Sequence, residues 1–146
     1  MSERELSLYI VDILIAINKI DRYTARFINA VDFLHSELEW DASLRELQII
    51  GDAVNMLLKH QFINDTYRKI VDFRNQITHA YFGIDEEIVW EVITKKLRAF
   101  NDDLIAAAAA KNLDLTKGIE AAIKENSHNK KILKFLNEVK KKPGLK

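Results

Sequence analysis

Arg74, His79 and Tyr81 fall within eight residues, in the string Arg74-Asn75-Gln76-Ile77-Thr78-His79-Ala80-Tyr81. An arginine and a histidine together can cleave a phosphodiester without a metal. The guanidinium stays cationic and grips phosphate oxygens in a fork, stabilising charge that develops in the transition state. Imidazole titrates near neutrality, so it can take or give the proton of a ribose 2′-hydroxyl. An exposed tyrosine hydroxyl can accept a nucleotide, and Asn75 could position His79 or a phosphate. A plainer use of the same residues is also open. Arg and Tyr near a helix end often cap carbonyls, and a lone His is commonly a surface or core residue.

These residues read as the last turns of a helix. Asn64-Asp65-Thr66 supplies N-cap candidates, the helix runs to about Phe82, and Gly83 stops it as a C′ residue. At about 100° per residue, Arg74 and Tyr81 lie about 20° apart and share a face. Asn75 and His79 share a neighbouring face, whereas Arg74 and His79 are roughly 140° apart, too wide for an intimate pair on one helix. Phe73, Ile77 and Ala80 form the core stripe, so the polar arc reads as a groove with Arg on one side and His on the other. If two chains meet there about a two-fold axis, Arg74 of one approaches His79 of its mate. The preceding helix, about 39–60, has Leu44, Leu47, Gly51, Val54 and Leu58 at helical spacing. Gly51 costs about 1 kcal/mol against Ala in a helix interior, which suggests close approach of another backbone. Gln48, Asp52 and Asn55 line one polar stripe, either a solvent face or a cleft wall.

The first segment, about 4–25, places Leu6, Ile10, Ile13, Ile17 and Ile20 on one stripe and Leu8, Val11 and Ile15 on a second. That face is wider than one neighbour covers, so two partners are expected, one of which could be another copy of the chain. Residues 26–37 read as a connection with a short helix around Val31, Phe33 and Leu34. Asp85-Glu86-Glu87 opens a helix through Trp90, Ile93, Leu97, Phe100 and Leu104 into Ala106–Ala110, its acids at the positive end of the dipole. Shorter helices follow at about 115–126 and 129–141. Nothing alternates with period two. The expectation is an all-α antiparallel bundle of four main helices over residues 1–110, with a lysine-rich helical extension over 111–146.

Composition limits the function classes. The chain has 146 residues, 48 % of them apolar, and no cysteine, which suits one folded domain without disulfides or thiolate metal sites. Asp12, Asn18 and Asp21 interrupt the longest apolar stretches too soon for a membrane span of about 20 residues. The start, Ser2-Glu3-Arg4-Glu5, is acidic where a signal peptide is basic. A soluble, cytoplasmic protein with no membrane partner is expected. Net charge is zero, yet residues 1–110 carry 12 Lys+Arg against 18 Asp+Glu, and residues 111–146 carry ten Lys against four acids. An acidic body disfavours broad nucleic-acid binding, while the basic tail could supply such a face or be a solvated surface. His35, His60, His79 and His128 show no metal-ligand spacing and the four glycines are isolated, so neither a metal nor a cofactor is expected.

The string Arg74-x4-His79-x-Tyr81 resembles the signature of HEPN-domain proteins. The wider run, Asp72-Phe73-Arg74-Asn75 and His79-Ala80-Tyr81-Phe82-Gly83-Ile84-Asp85, resembles the HepT-like toxins of MNT–HEPN (type VII) toxin–antitoxin pairs. Leu47-Gln48-Ile49-Ile50-Gly51-Asp52-Ala53 is similar to that family's central helix, where Ile-Gly-Glu-Ala is usual. Asp52 is one methylene shorter than Glu, which alters any contact it makes to Arg74. The resemblance covers about residues 4–105. It implies a homodimeric bundle with a composite cleft at the subunit interface and metal-independent endoribonuclease activity on RNA. Arg74 and His79 would be catalytic, with Asn75 and Asp52 supporting them. It also implies a minimal nucleotidyltransferase antitoxin, which in some members transfers AMP to the motif tyrosine, here Tyr81. Two other readings stay open: a non-catalytic nucleotide- or substrate-binding partner subunit of a nucleotidyltransferase, and a structural helical dimer joined through residues 6–20.

Overall fold

The computed structural model describes residues 1–80 and 83–142. Helix α1, Glu3–Thr24, starts where the Ser2 hydroxyl accepts from the Glu5 amide at 3.1 Å. Both apolar stripes sink into the core: Ile10, Ile13 and Ile20 are fully buried, and Val11 and Ile15 nearly so. Each such side chain removed from water stabilises the fold by roughly 1.5–3 kcal/mol. Helix α2, Ala30–Leu34, is capped by Asn29. It delivers Phe33 into an aromatic cluster with Phe27, Trp40 and Trp90, with ring centroids 5.0–6.0 Å apart. Helix α3, Glu37–Lys59, packs along α1.

A 3-10 turn, Asp65–Tyr67, leads into α4, Arg68–Thr78. Asn64, one of the expected cap residues, accepts from the Thr66 amide at 2.9 Å and caps this turn, while α4 follows Tyr67 with no side-chain cap of its own. The far end differs from expectation. α4 stops at Thr78 rather than near residue 82, and His79 is its C-cap. The Thr78 hydroxyl, on that last helical residue, donates to the Arg74 carbonyl at 3.0 Å. Gly83 does have a positive φ of 96°, but it lies five residues beyond the last helical residue and so is not C′. Tyr81 falls outside the described residues.

Asp85 caps α5, Glu86–Glu91, accepting from the Glu87 amide at 2.9 Å. A π-turn, Val92–Lys96, joins it to α6, Leu97–Ala110. Helices α7, Thr116–Glu125, and α8, Lys130–Lys140, complete an all-α bundle with no strand among the described residues. The second partner of α1 turns out to be α7 of the same chain. Gly118 sets its backbone against the Ser7 carbonyl, where an added Cβ would come within 2.5 Å of the oxygen. The apolar face of residues 6–20 is therefore largely used up within one chain. Leu115, Ile119, Ile132, Leu136 and Val139 join the same core as α1 and α3. Among the described residues, no helix is long and apolar enough to cross a membrane.

Candidate active site

Arg74 projects from α4 onto α3. Its stem lies across Gly51, where a Cβ would meet the Arg74 Cβ at 2.3 Å and Cγ at 2.5 Å. The close approach foreseen at Gly51 is real, but the visitor is a side chain and not a backbone. One helical position further on, Asp52 receives the guanidinium: Nη1 donates to the Asp52 carboxylate. Nε donates to the Asn75 side-chain oxygen at 3.0 Å, so within one chain Asn75 orients Arg74. The side chain of Arg74 is 22 % exposed and that of Asp52 is 64 % exposed. A pair this open to water contributes little to stability, so its consequence is orientation.

The polar stripe of α3 forms a wall of an open depression. Asp52 and Asn55 line it together with Arg74, Ile49, Ala53 and Met56, and α1 contributes Tyr9 and Asp12 on the opposite side. Its volume is about 420 Å³. Gln48, the first residue of the stripe, donates to the Thr78 hydroxyl at 3.4 Å and ties the two helices beyond the ion pair.

His79 is exposed at the end of α4, its amide donating to the Asn75 carbonyl at 3.0 Å. Among the described residues its imidazole has no hydrogen-bond partner and does not line the Arg74 depression. Within one chain, then, Arg74 meets Asp52 and Asn75, while His79 stands apart. No group of three or more His, Asp or Glu that could hold a metal occurs among the described residues.

A larger cavity, about 460 Å³, opens on the apolar side of α4. Ile70 and Phe73 face Val92, Leu97 and Phe100 across it. At its rim the Tyr67 hydroxyl donates to Asp103. That bond, followed by desolvation and the carboxylate charge, pushes the Tyr67 phenol up from 10.0 to about 12. Sequence reasoning missed Tyr67, Tyr9 and Asp12, because nothing in local spacing says which distant helix a residue will face.

Residues 13–107 match the family described as Ribonuclease HepT-like. A Methanocaldococcus jannaschii protein provisionally named an RNase is 31 % identical over 96 residues, 64 % of this chain and 87 % of that protein. A Thermococcus cleftensis protein provisionally named ribonuclease HepT is 32 % identical over 92 residues, covering 61 % and 83 %. A second M. jannaschii protein, whose name joins gamma-glutamylcyclotransferase to a provisional RNase, is 25 % identical over 144 residues. That alignment takes in 94 % of this chain and 64 % of the relative. No solved structure matches.

Proposed function

Because the chain belongs to the HepT-like ribonuclease family, we propose that it is an endoribonuclease that cleaves RNA without a metal, as the toxin of a toxin–antitoxin pair. The observation that carries this reading is the seat of Arg74: a glycine notch, a carboxylate and an amide hold one guanidinium at the edge of an open depression. Such a fixed cation suits the oxygens of a phosphodiester.

In the proposed reaction His79 removes the proton of a ribose 2′-hydroxyl, and the 2′-oxygen attacks the neighbouring phosphorus. The bond from phosphorus to the 5′-oxygen breaks. A protonated imidazole gives its proton to that oxygen, leaving a 2′,3′-cyclic phosphate and a 5′-hydroxyl. Arg74 grips the non-bridging oxygens, exchanging Asp52 for phosphate. Arg74 and His79 diverge within one chain, so the site is assembled by a homodimer that brings Arg74 of one copy to His79 of the other. A cognate minimal nucleotidyltransferase is the antitoxin, acting with this chain in the cytoplasm. It transfers AMP from ATP to the Tyr81 hydroxyl with release of pyrophosphate, adding negative charge and bulk to the motif that carries Arg74 and His79.

The test is RNA cleavage by pure protein in a chelating buffer, beside growth of cells expressing each form. Wild type should cut RNA and arrest growth. Arg74→Ala should lose about 10²–10³ in rate, as removal of a transition-state charge contact does; His79→Ala should lose about 10²–10⁴, as loss of a general acid/base does. Full activity of both variants would remove these residues from the chemistry, and loss of wild-type activity on chelation would remove metal independence. One observation favours the other reading, a non-catalytic nucleotide-binding subunit: the Arg74 charge is already met by Asp52 in the free chain. That reading expects normal growth with all three forms.

A further inference from the structure

Six lysines of the last described helix and its end, Lys130, Lys131, Lys134, Lys140, Lys141 and Lys142, are exposed, and among the described residues none is in an ion pair. The register of α8 arranges them. Ile132, Leu136 and Val139 are buried in the common core. At about 100° per residue, Lys130 and Lys134 lie about 40° apart on the opposite side, and Lys141, the C-cap in αR conformation just past the helix, falls between them. The helix thus holds a ridge of positive charge rigidly against a body whose first 110 residues carry 12 Lys+Arg and 18 Asp+Glu. From the segregation of charge and this fixed ridge, we propose that the Lys130–Lys134–Lys141 face of α8 docks the phosphate backbone of single-stranded RNA. The proposal rests on the ribonuclease reading for its substrate, but not on Arg74 or His79.

The ridge fits a nucleic-acid backbone better than two other polyanionic or acidic partners. A membrane-surface helix must bury its apolar face in lipid, and here that face already sits in the core. A protein interface is anchored by buried aromatic or aliphatic side chains, and the ridge offers lysines and Asn137, with the exposed Glu138 at its edge, instead. Backbone phosphates need only cations, and an RNA approaching an otherwise acidic bundle needs them there. The ridge also lies outside residues 13–107, the part that matches the family, so it adds affinity to a site it does not form.

The experiment uses the full chain carrying His79→Ala, so that RNA stays intact, and a short unstructured fluorescent RNA. Binding is followed by anisotropy between about 50 and 200 mM salt. Lys130→Gln, Lys134→Gln and Lys141→Gln together should weaken binding at low salt at least tenfold. They should also reduce the slope of log affinity against log salt by about 2, since each phosphate contact on a single strand contributes about 0.7. The matching triple Lys→Arg variant should bind like its parent. Unchanged affinity and slope in the Gln variant overturn the proposal. So does salt-sensitive self-association of the parent, without RNA, that the Gln variant loses, since the ridge would then serve a second copy. The two readings separate cleanly. If the Gln variant binds normally while Arg74→Ala and His79→Ala no longer cut RNA, the docking surface fails alone. If the Gln variant loses binding while those two still cut, the catalytic assignment fails alone.

Discussion

At Gly51 on α3 and at Gly118 on α7 a helix gives up its side chain so that something else can come close. At Gly118 the visitor is the backbone of α1, and the contact closes the core between the first helix and the C-terminal pair. At Gly51 the visitor is the stem of Arg74, and the contact leaves a charged group at the surface beside an open depression. The same notch serves architecture in one place and chemistry in the other. The difference lies in what can yield. α1 is held between α3 and α7, whereas α4 packs mainly on α3 and faces a cavity on its other side.

Gly118→Ala should therefore be the most damaging change. Its Cβ would press on a main-chain oxygen that no rotamer can move, and a loss of about 3 kcal/mol in denaturant unfolding is expected. A near-neutral result would mean that α7 does not sit against α1 as described. Gly51→Ala should cost less, about 1–2 kcal/mol, because α4 can shift outward. Its cost should shrink by about 1 kcal/mol in an Arg74→Gly background, since both clashing atoms are then gone. An unchanged cost in that double-mutant cycle would break the link between Gly51 and Arg74.

Smaller effects test how α4 is tethered at its start. Tyr67→Phe deletes the bond to Asp103 and should cost about 1 kcal/mol at neutral pH. The folded-state value of Tyr67, about 12, is above its ordinary 10.0. Stability from this bond is thus full below about pH 10 and is lost as pH rises through 12. Wild type and Tyr67→Phe should converge in stability over that alkaline range, and a constant gap would show that the phenol is not what the bond protects. The smallest effect belongs to Asp52→Asn. An exposed ion pair should change stability by no more than about 0.5 kcal/mol, while altering RNA cleavage through the freed Arg74.

Much of the fold was legible in the residues. The spacing of Ile10, Ile13, Ile17 and Ile20 placed α1, and Asp85 marked a real helix start, whereas Asn64 caps the 3-10 turn ahead of α4 and not α4 itself. The double stripe of α1 announced a second neighbour but could not say that it lies in α7, because periodicity reports a face and not its occupant. The site was legible in part. Arg74 and Asp52 came together through family resemblance, whereas Gly51 as the seat of Arg74 needed the relative placement of two helices. The end of α4 was misread because apolar spacing at Ile77 and Ala80 continues past the last helical residue, Thr78, and periodicity does not mark where a helix stops.

The closure of α1 by α7 also has a consequence in time. A ribosome adds roughly 5–20 residues per second, and some 90 residues separate the end of α1 at Thr24 from the start of α7 at Thr116. The face around Ser7 and Val11, which Gly118 approaches, therefore waits for about 5–20 s after α1 is made before α7 exists to cover it. α3 covers the rest of α1 much sooner, so the two faces of one helix are sheltered at different times during synthesis.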